Sequence, residues 1–349
     1  MKLKKLCSQF FIIFHFFITF ADSINLEENI QEFVLETKRI IIPEYPDAFN
    51  PSIVAWDDNS YLLSFRIMPD PKKKFDSLIG VVFLDKDFTI KSTPQILNLR
   101  EYHPTIPSRA EDARLMKIQD TTYIIYSDNT ECKISRGGFR VYIATLLYDP
   151  DLNKLTPENI EILSNFDGES KEKREKNWTP FVYNNNLLLS YSLTPHKILL
   201  PIFGQNRCET LALSNANLNW KWGELRGGTP AVLIDNERYF SIFHSSINME
   251  TTHSEGKNIS HYFMGAYTFT KDFPFTITHI SENPIIGKNF YEGLTYKPYW
   301  KPVKAIFPCG IIVEGDNIFV TYGRDDHEMW VVKLDKHLLL KNLKIVENN

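Results

Sequence analysis

Four cysteines in 349 residues are too few for a disulfide framework. Cys7 lies in a leader expected to be removed, which leaves Cys132, Cys208 and Cys309. Their odd number and wide spacing match no zinc pattern, so neither a metal nor another cofactor is expected. One disulfide with a free thiol and three reduced thiols both fit this count. Glycine is scarce at 15 residues, while the hydrophobic fraction of 43% is ordinary for a globular protein. Charge of one sign is also lacking: the formal net charge is −4, which offers no basic field to nucleic acid or to an anionic membrane. No long amphipathic helix is evident, and beyond residue 20 there is no second long apolar run.

What is present begins with a leader. Lys2, Lys4 and Lys5 make a positive start, and Phe10 to Phe20 is apolar except at His15 and Thr19. Thr19-Phe20-Ala21 then supplies small residues where a signal peptidase reads, so residues 1–21 are assigned as a signal peptide. The run is short for a bilayer span, which disfavours the rival reading of an uncleaved anchor. A secreted or periplasmic protein with no stable membrane insertion is expected. Asn177-Trp178-Thr179 and Asn258-Ile259-Ser260 fit the N-glycosylation acceptor pattern.

Residues 22–47 read as an N-terminal lead whose Ile40-Ile41-Ile42 is a candidate strand, either outside the repeats or closing them. From residue 48 to 349 one pattern recurs. Ile53-Val54-Ala55-Trp56 turns through Asp57-Asp58-Asn59 into Tyr61-Leu62-Leu63-Ser64-Phe65. Similar pairs of β-rich runs flank Gln119-Asp120-Thr121, Asn184-Asn185-Asn186, Asp235-Asn236 and Gly315-Asp316-Asn317. A second hairpin follows in most copies, turning at Asp85-Lys86-Asp87, at Asp149-Pro150-Asp151, near Lys271-Asp272 and at Asp335-Lys336; the third copy, around Leu211 to Trp222, is the least regular. Two hairpins make a four-stranded antiparallel unit, and five units at this period predict an all-β, five-bladed β-propeller. Residues 151–176 and 245–260 read as loops over one rim.

A hairpin returns the end of its second strand to the start of its first. Equivalent hairpins of a propeller therefore aim those ends at one mouth of the central channel. Asn50, Asp112, Asn177, Gly228 and Phe307 should ring that mouth, with Arg66, Asp128, Ser192, His244 and Gly323 beside them. Such a ring suits a polyol and an anion better than an apolar core.

Asn50-Pro51-Ser52, Glu111-Asp112-Ala113-Arg114, Lys176-Asn177-Trp178, Gly228-Thr229-Pro230 with His244, Phe307-Pro308-Cys309-Gly310, and Tyr322-Gly323-Arg324-Asp325 carry a family resemblance across residues 48 to 335. The chain resembles glycoside hydrolase family 130, five-bladed propellers that act on β-mannosides. Ala113 departs from the proline that commonly follows the family's Glu-Asp pair. The resemblance implies an inverting displacement in which Asp112 is the general acid, protonating the glycosidic oxygen through a hydroxyl of the bound sugar. It implies substrate-binding roles for Asn50, Ser52, Glu111, Lys176, Asn177, Tyr322 and Asp325. Phosphate contacts are implied for Arg66, Arg114 and His244, with Arg136 and Arg140 as further candidates. Glu111 would raise the pKa of Asp112, and Arg114 would lower it.

Trp178 reads either as a sugar-stacking ring or as core; Trp56 and Cys309 read as core. The expected partner is a β-mannoside or other mannose-containing glycan, together with inorganic phosphate if cleavage is phosphorolytic. Hydrolysis instead would need a carboxylate base roughly 6.5–9.5 Å from the acid; Glu175 and Glu209 are the candidates. Two other functions fit the pattern: a β-mannosyltransferase of similar fold that uses mannose 1-phosphate, and a glycan-binding propeller without catalysis.

Overall fold

The computed structural model describes residues 24–73, 76–99, 109–128, 139–170, 173–295 and 298–347. The leader, Cys132 and Arg136 lie outside them. Five sheets follow one another along the chain, antiparallel except for one short parallel pairing in the fourth. The first blade comprises Phe49–Asp57, Ser60–Ile67, Leu78–Leu84 and Gln95–Ile96. The second comprises Glu111–Ile118, Thr121–Asp128, Arg140–Asp149 and Lys154–Leu163. The third comprises Thr179–Tyr183, Asn186–Leu193, His196–Ile202 and Arg207–Ser214. The fifth is built on Ile306–Glu314, Asn317–Arg324 and Glu328–Asp335. Its outer strand is Val34–Ile40, paired antiparallel with Glu328–Asp335 from the other end of the chain. The ring is thus closed by joining the two chain ends in one sheet.

The second strands explain the unbroken apolar runs. Ser60–Ile67 is buried at every position because its two faces pack against different neighbours. Leu62 shares a core cluster with Leu115, Ile124 and Tyr142 of the second blade, whereas Leu63 and Phe65 share one with Ile312 and Val331 of the fifth.

Four features differ from the sequence reading. Residues 151–176 are not all loop, because Lys154–Leu163 is the outer strand of the second blade. It is an edge strand with one row of residues exposed, so its charges hide its pairing. Ser245–Met249 likewise belongs to a strand, Arg238–Met249, rather than to a rim loop. The third blade is regular, since its second hairpin is His196–Ile202 with Arg207–Ser214, earlier than Leu211 to Trp222 suggested. Asp335-Lys336 does not turn a hairpin: Asp335 caps the helix Lys336–Asn342, its Oδ1 accepting from Leu338 N at 2.8 Å.

The fourth blade also departs from the four-stranded pattern and has seven strands. Its inner strand is split into Arg226–Gly227 and Val232–Leu233. Pro230 interrupts it, having no N–H to pair, and Thr229 substitutes by donating from its backbone to Ile242 O at 2.9 Å. Its central hairpin, Arg238–Met249 with Ile259–Thr270, has twelve residues in each arm and is the longest of the described residues. Ile277–Ile280, Val303–Lys304 and Lys344–Ile345 complete the sheet.

Hydrogen bonds between blades fix the inner strands around the axis. Ser52 Oγ accepts from Leu115 N at 3.0 Å, tying blade one to blade two. Thr321 Oγ1 donates to Pro51 O at 2.7 Å, tying blade five to blade one. Ala231 N donates to Pro180 O at 2.9 Å, tying blade four to blade three. Ser52 is fully buried, so Ser52→Ala would strand the Leu115 N–H without a partner. The expected cost is about 1–3 kcal/mol, measured by denaturant unfolding, with sugar affinity nearly unchanged. A large loss of affinity at parental stability would instead put Ser52 in contact with ligand.

Candidate functional site

The mouth of the channel holds a polar pocket of about 190 Å3. Its wall is made by Asn50, Arg66, Glu111, Asp112, Lys176, Asn177, Arg226, His244, Tyr262, Ala305, Phe307 and Asp326. Asn50, Asp112 and Asn177 stand at or just before the heads of three inner strands, and all three have left-handed backbone, with φ of 49°, 53° and 62°. Asn and Asp tolerate that region best among non-glycine residues. At the first two heads the strand pairing also slips, between Phe49 and Ser52 and between Glu111 and Arg114. The bulge re-aims the side chain into the channel.

Arg66 lies between two carboxylates. Its Nη1 donates to Asp112 Oδ1 at 3.1 Å and its Nη2 meets Glu111 Oε1 at 3.1 Å. Asn50 Nδ2 donates to the same Asp112 oxygen at 2.7 Å, and Lys176 pairs with the other oxygen of Glu111. Burial pushes the Asp112 carboxyl up, but Arg66, then Lys176 and Arg114, outweigh it and hold its pKa well below the usual aspartate range. Asp326 faces the same cations with no hydrogen bond to its carboxylate among the described residues. There burial dominates and pushes its pKa to about 6. His244 is neutral: burial, reinforced by Arg114 and Arg226, takes it down to about 3, and its Nδ1 has no partner.

Two cavities adjoin the pocket. One, of about 200 Å3, is aromatic; it shares Arg66, Tyr262 and Asp326 with the centre and adds Phe49, Met68, Tyr299 and Trp300. The other, of about 570 Å3, is cationic and shares Lys176, Asn177, Arg226 and Tyr262.

Glycoside hydrolase family 130, described by its beta-1,4-mannooligosaccharide phosphorylases, matches residues 19–344. The chain belongs to glycoside hydrolase family 130. Its members are mannoside phosphorylases and glycoside hydrolases, and this chain is an enzyme of that class. Among solved structures, a β-1,2-mannobiose phosphorylase from Listeria innocua, in complex with β-1,2-mannobiose, is 18% identical with a TM-score of 0.55; the match covers 90% of this chain and 94% of that one. A mannose phosphorylase from Leishmania mexicana, in complex with phosphate ion, is 13% identical with a TM-score of 0.52 and coverages of 90% and 92%. A GDP-Man-dependent mannosyltransferase from the same organism is 11% identical with a TM-score of 0.53 and coverages of 91% and 95%. No curated protein sequence matches the chain.

The family resemblance proposed more site residues than the pocket wall contains. Asn50, Arg66, Glu111, Asp112, Lys176, Asn177 and His244 line it. Ser52 does not, being the strap between the first two blades. Arg114 lies beneath the floor, its Nε on Gly228 O at 2.9 Å and its Nη1 on Asp112 O. Tyr322 is fully buried in the core against Phe290, ring centres 5.0 Å apart. Asp325 is turned away from the pocket and accepts from Ala305 N at 2.7 Å, while its neighbour Asp326 faces the pocket. Arg140 bonds the carbonyls of Phe139 and Lys173 at 3.0 and 3.2 Å.

Of the candidate bases, Glu209 is exposed on an outer strand and pairs with Arg207 at 2.7 Å. Glu175 is buried beside the wall, accepting from Trp178 Nε1 and Tyr191 OH at 3.3 Å each. Trp178 is core, edge-on to Phe166 and Tyr191. Cys208 and Cys309 are buried free thiols. The sequence reading missed Asp326, Arg226 and Tyr262. Only Asp326, adjacent to a proposed residue, carried a local signal.

Asp325 gives a pH prediction. Burial raises its carboxyl to about 7, and its Oδ2 has no hydrogen-bond partner. The folded chain therefore holds a proton that the unfolded chain releases near pH ~4. Stability should fall as pH rises from there through 7. Asp325→Asn, which keeps the acceptor for Ala305, should melt higher than the parent at pH 8 and with it at pH 4. Equal melting temperatures at both pH values would show that no buried charge forms.

Proposed function

We propose that this chain is an exported enzyme that splits β-mannosides by an inverting single displacement with inorganic phosphate as the attacking group. The observation that carries this reading is the convergence of Arg66, Lys176 and Arg226 on one pocket with Asp112. The mannosyl ring would occupy the central pocket and its leaving group the aromatic cavity. A phosphate oxygen forms the new bond to the anomeric carbon as the glycosidic bond breaks on the opposite face. The departing oxygen takes a proton relayed from Asp112 through a sugar hydroxyl, and the product is α-mannose 1-phosphate. Among these cations Asp112 is ionised. An anion bound among the same cations offsets their field and lets Asp112 take up the proton that the reaction needs. His244, neutral, can accept a hydrogen bond from phosphate without adding charge.

Hydrolysis is the second reading, favoured by Asp326, a pocket carboxylate with a pKa of about 6 that could activate water. Products separate the two. Phosphorolysis gives mannose 1-phosphate only when phosphate is present; free mannose at the same rate without phosphate would overturn it. Asp112→Asn should lower turnover by about 10²–10⁴-fold and leave mannoside affinity largely intact. Arg226→Ala, at an exposed side chain, should raise the KM for phosphate and spare that for mannoside.

Export rests on the sequence of the leader. N-terminal sequencing of protein recovered outside the cytoplasm should begin near Asp22; an intact Met1 would overturn cleavage.

A further inference from the structure

The cationic cavity is larger than the pocket it serves, about 570 against 190 Å3. Lys176, Asn177 and Arg226 form the neck between the two. Beyond the neck stand Lys173 and Arg174, which the central pocket does not reach. Four cationic side chains line this cavity and one carboxylate, Glu224, which already pairs with Arg226 at 2.8 Å. The hydrogen bond of Lys173 goes to the Tyr191 hydroxyl, and the Glu175 and Glu224 carboxylates attract its charge without a hydrogen bond to it among the described residues. Arg174 lies over the Phe139 ring at 5.7 Å and has no carboxylate partner among the described residues. One orthophosphate at the neck would leave both of these charges, and most of the cavity, without a ligand.

We infer that the cavity takes a second phosphoryl group joined to the first, so that the chain binds diphosphate-linked mannose. The first phosphoryl group sits at the neck on Lys176 and Arg226 and the second on Lys173 and Arg174. This rests on the reading above in placing a phosphoryl group next to the mannosyl carbon. A bridging oxygen holds two phosphorus atoms at a fixed short separation, so cations placed in sequence from neck to cavity can be met by one ligand. Charge-assisted bonds from Lys and Arg to phosphate oxygens are the strong class. Because Lys173 and Arg174 are exposed, their contribution should weaken as salt rises. Free diphosphate presents the same chemistry and has to be separated from the mannosyl ester.

The test is calorimetric titration at one low ionic strength with mannose 1-phosphate, inorganic diphosphate and a nucleoside-diphosphate mannose. The parent protein should bind the diphosphate-linked mannose about tenfold or more tighter than mannose 1-phosphate, as one further strong contact implies. A Lys173→Met, Arg174→Gln variant with an unchanged melting temperature should bring that ratio close to one. A Lys173→Arg variant, which keeps the charge, should preserve most of it. Equal affinity of the parent for the two mannosyl ligands would overturn the inference. So would a ratio that survives the double substitution, or inorganic diphosphate binding more tightly than its mannosyl ester. A chain that hydrolyses rather than phosphorolyses would fail the product assay and could still show this ratio, so the two failures are distinguishable.

Discussion

Arg66 makes the site possible. Glu111 and Asp112 are adjacent in sequence and both buried, an arrangement that repels unless a cation stands between them. Arg66 reaches in from the next blade and contacts both, with its guanidinium over the Phe49 ring at 5.0 Å. Removing it would strip Asp112 of its ion pair and leave Glu111 on Lys176 alone, a loss on the order of 3–5 kcal/mol. The ion pair therefore joins blade one to blade two, orients Asp112 together with Asn50, lowers the pKa of Asp112 and opposes the rise of Asp326. Scaffold and chemistry share one interaction here, and a change at Arg66 cannot be read as a change in ligand binding alone.

The blade pattern was legible because each hairpin carries its own alternation and turn residues, so five copies reinforce one another. The rim was legible for the same reason. Asn50, Asp112, Asn177 and Phe307, with Arg66 and His244, reach the pocket because equivalent hairpin ends are equivalent in space, whereas Asp128, Ser192, Gly228 and Gly323, expected beside them, do not line it. The argument failed one layer down. Ser52 and Arg114 lie two residues beyond Asn50 and Asp112, which along a strand is about 6–7 Å deeper. At that depth inner strands face each other rather than the mouth, and their polar groups satisfy neighbouring backbone instead. Depth along a strand is not encoded in residue type, so Ser and Arg there look the same as at the rim.

The remaining misses come from irregularity. Asp325 and Asp326 both have left-handed backbone in one tight turn, with φ of 53° and 58°. Successive left-handed residues send adjacent side chains in different directions, and no alternation rule says which aspartate faces inward. Arg226 belongs to a strand only two residues long, too short to carry periodicity. Tyr262 sits in a twelve-residue strand, near the end that overhangs the pocket, and the amount of overhang depends on hairpin length rather than on pattern. The closing strand was legible only in part, because the sequence offered Ile40-Ile41-Ile42 where Val34–Ile40 does the pairing. Val34–Ile40 has one buried residue, so its place in the last blade is fixed by backbone pairing across the ring rather than by an apolar face.

The two aspartates of the pocket show how one cluster of cations can set opposite protonation states. Asp112 touches Arg66 and is driven down, whereas Asp326 feels the same guanidinium from farther off and is left to burial and to the repulsion of Asp112 and Glu111. A bound anion works on both in the same direction, because it cancels cation field that each aspartate sees. Proton uptake and anion binding are then linked, and by reciprocity a proton on either carboxyl favours the anion as much as the anion favours the proton. The neutral His244 fits this balance, since a charged imidazole in its place would hold the anion without requiring the carboxyls to respond. On the proposed reading, filling the pocket with an anion supplies the acid.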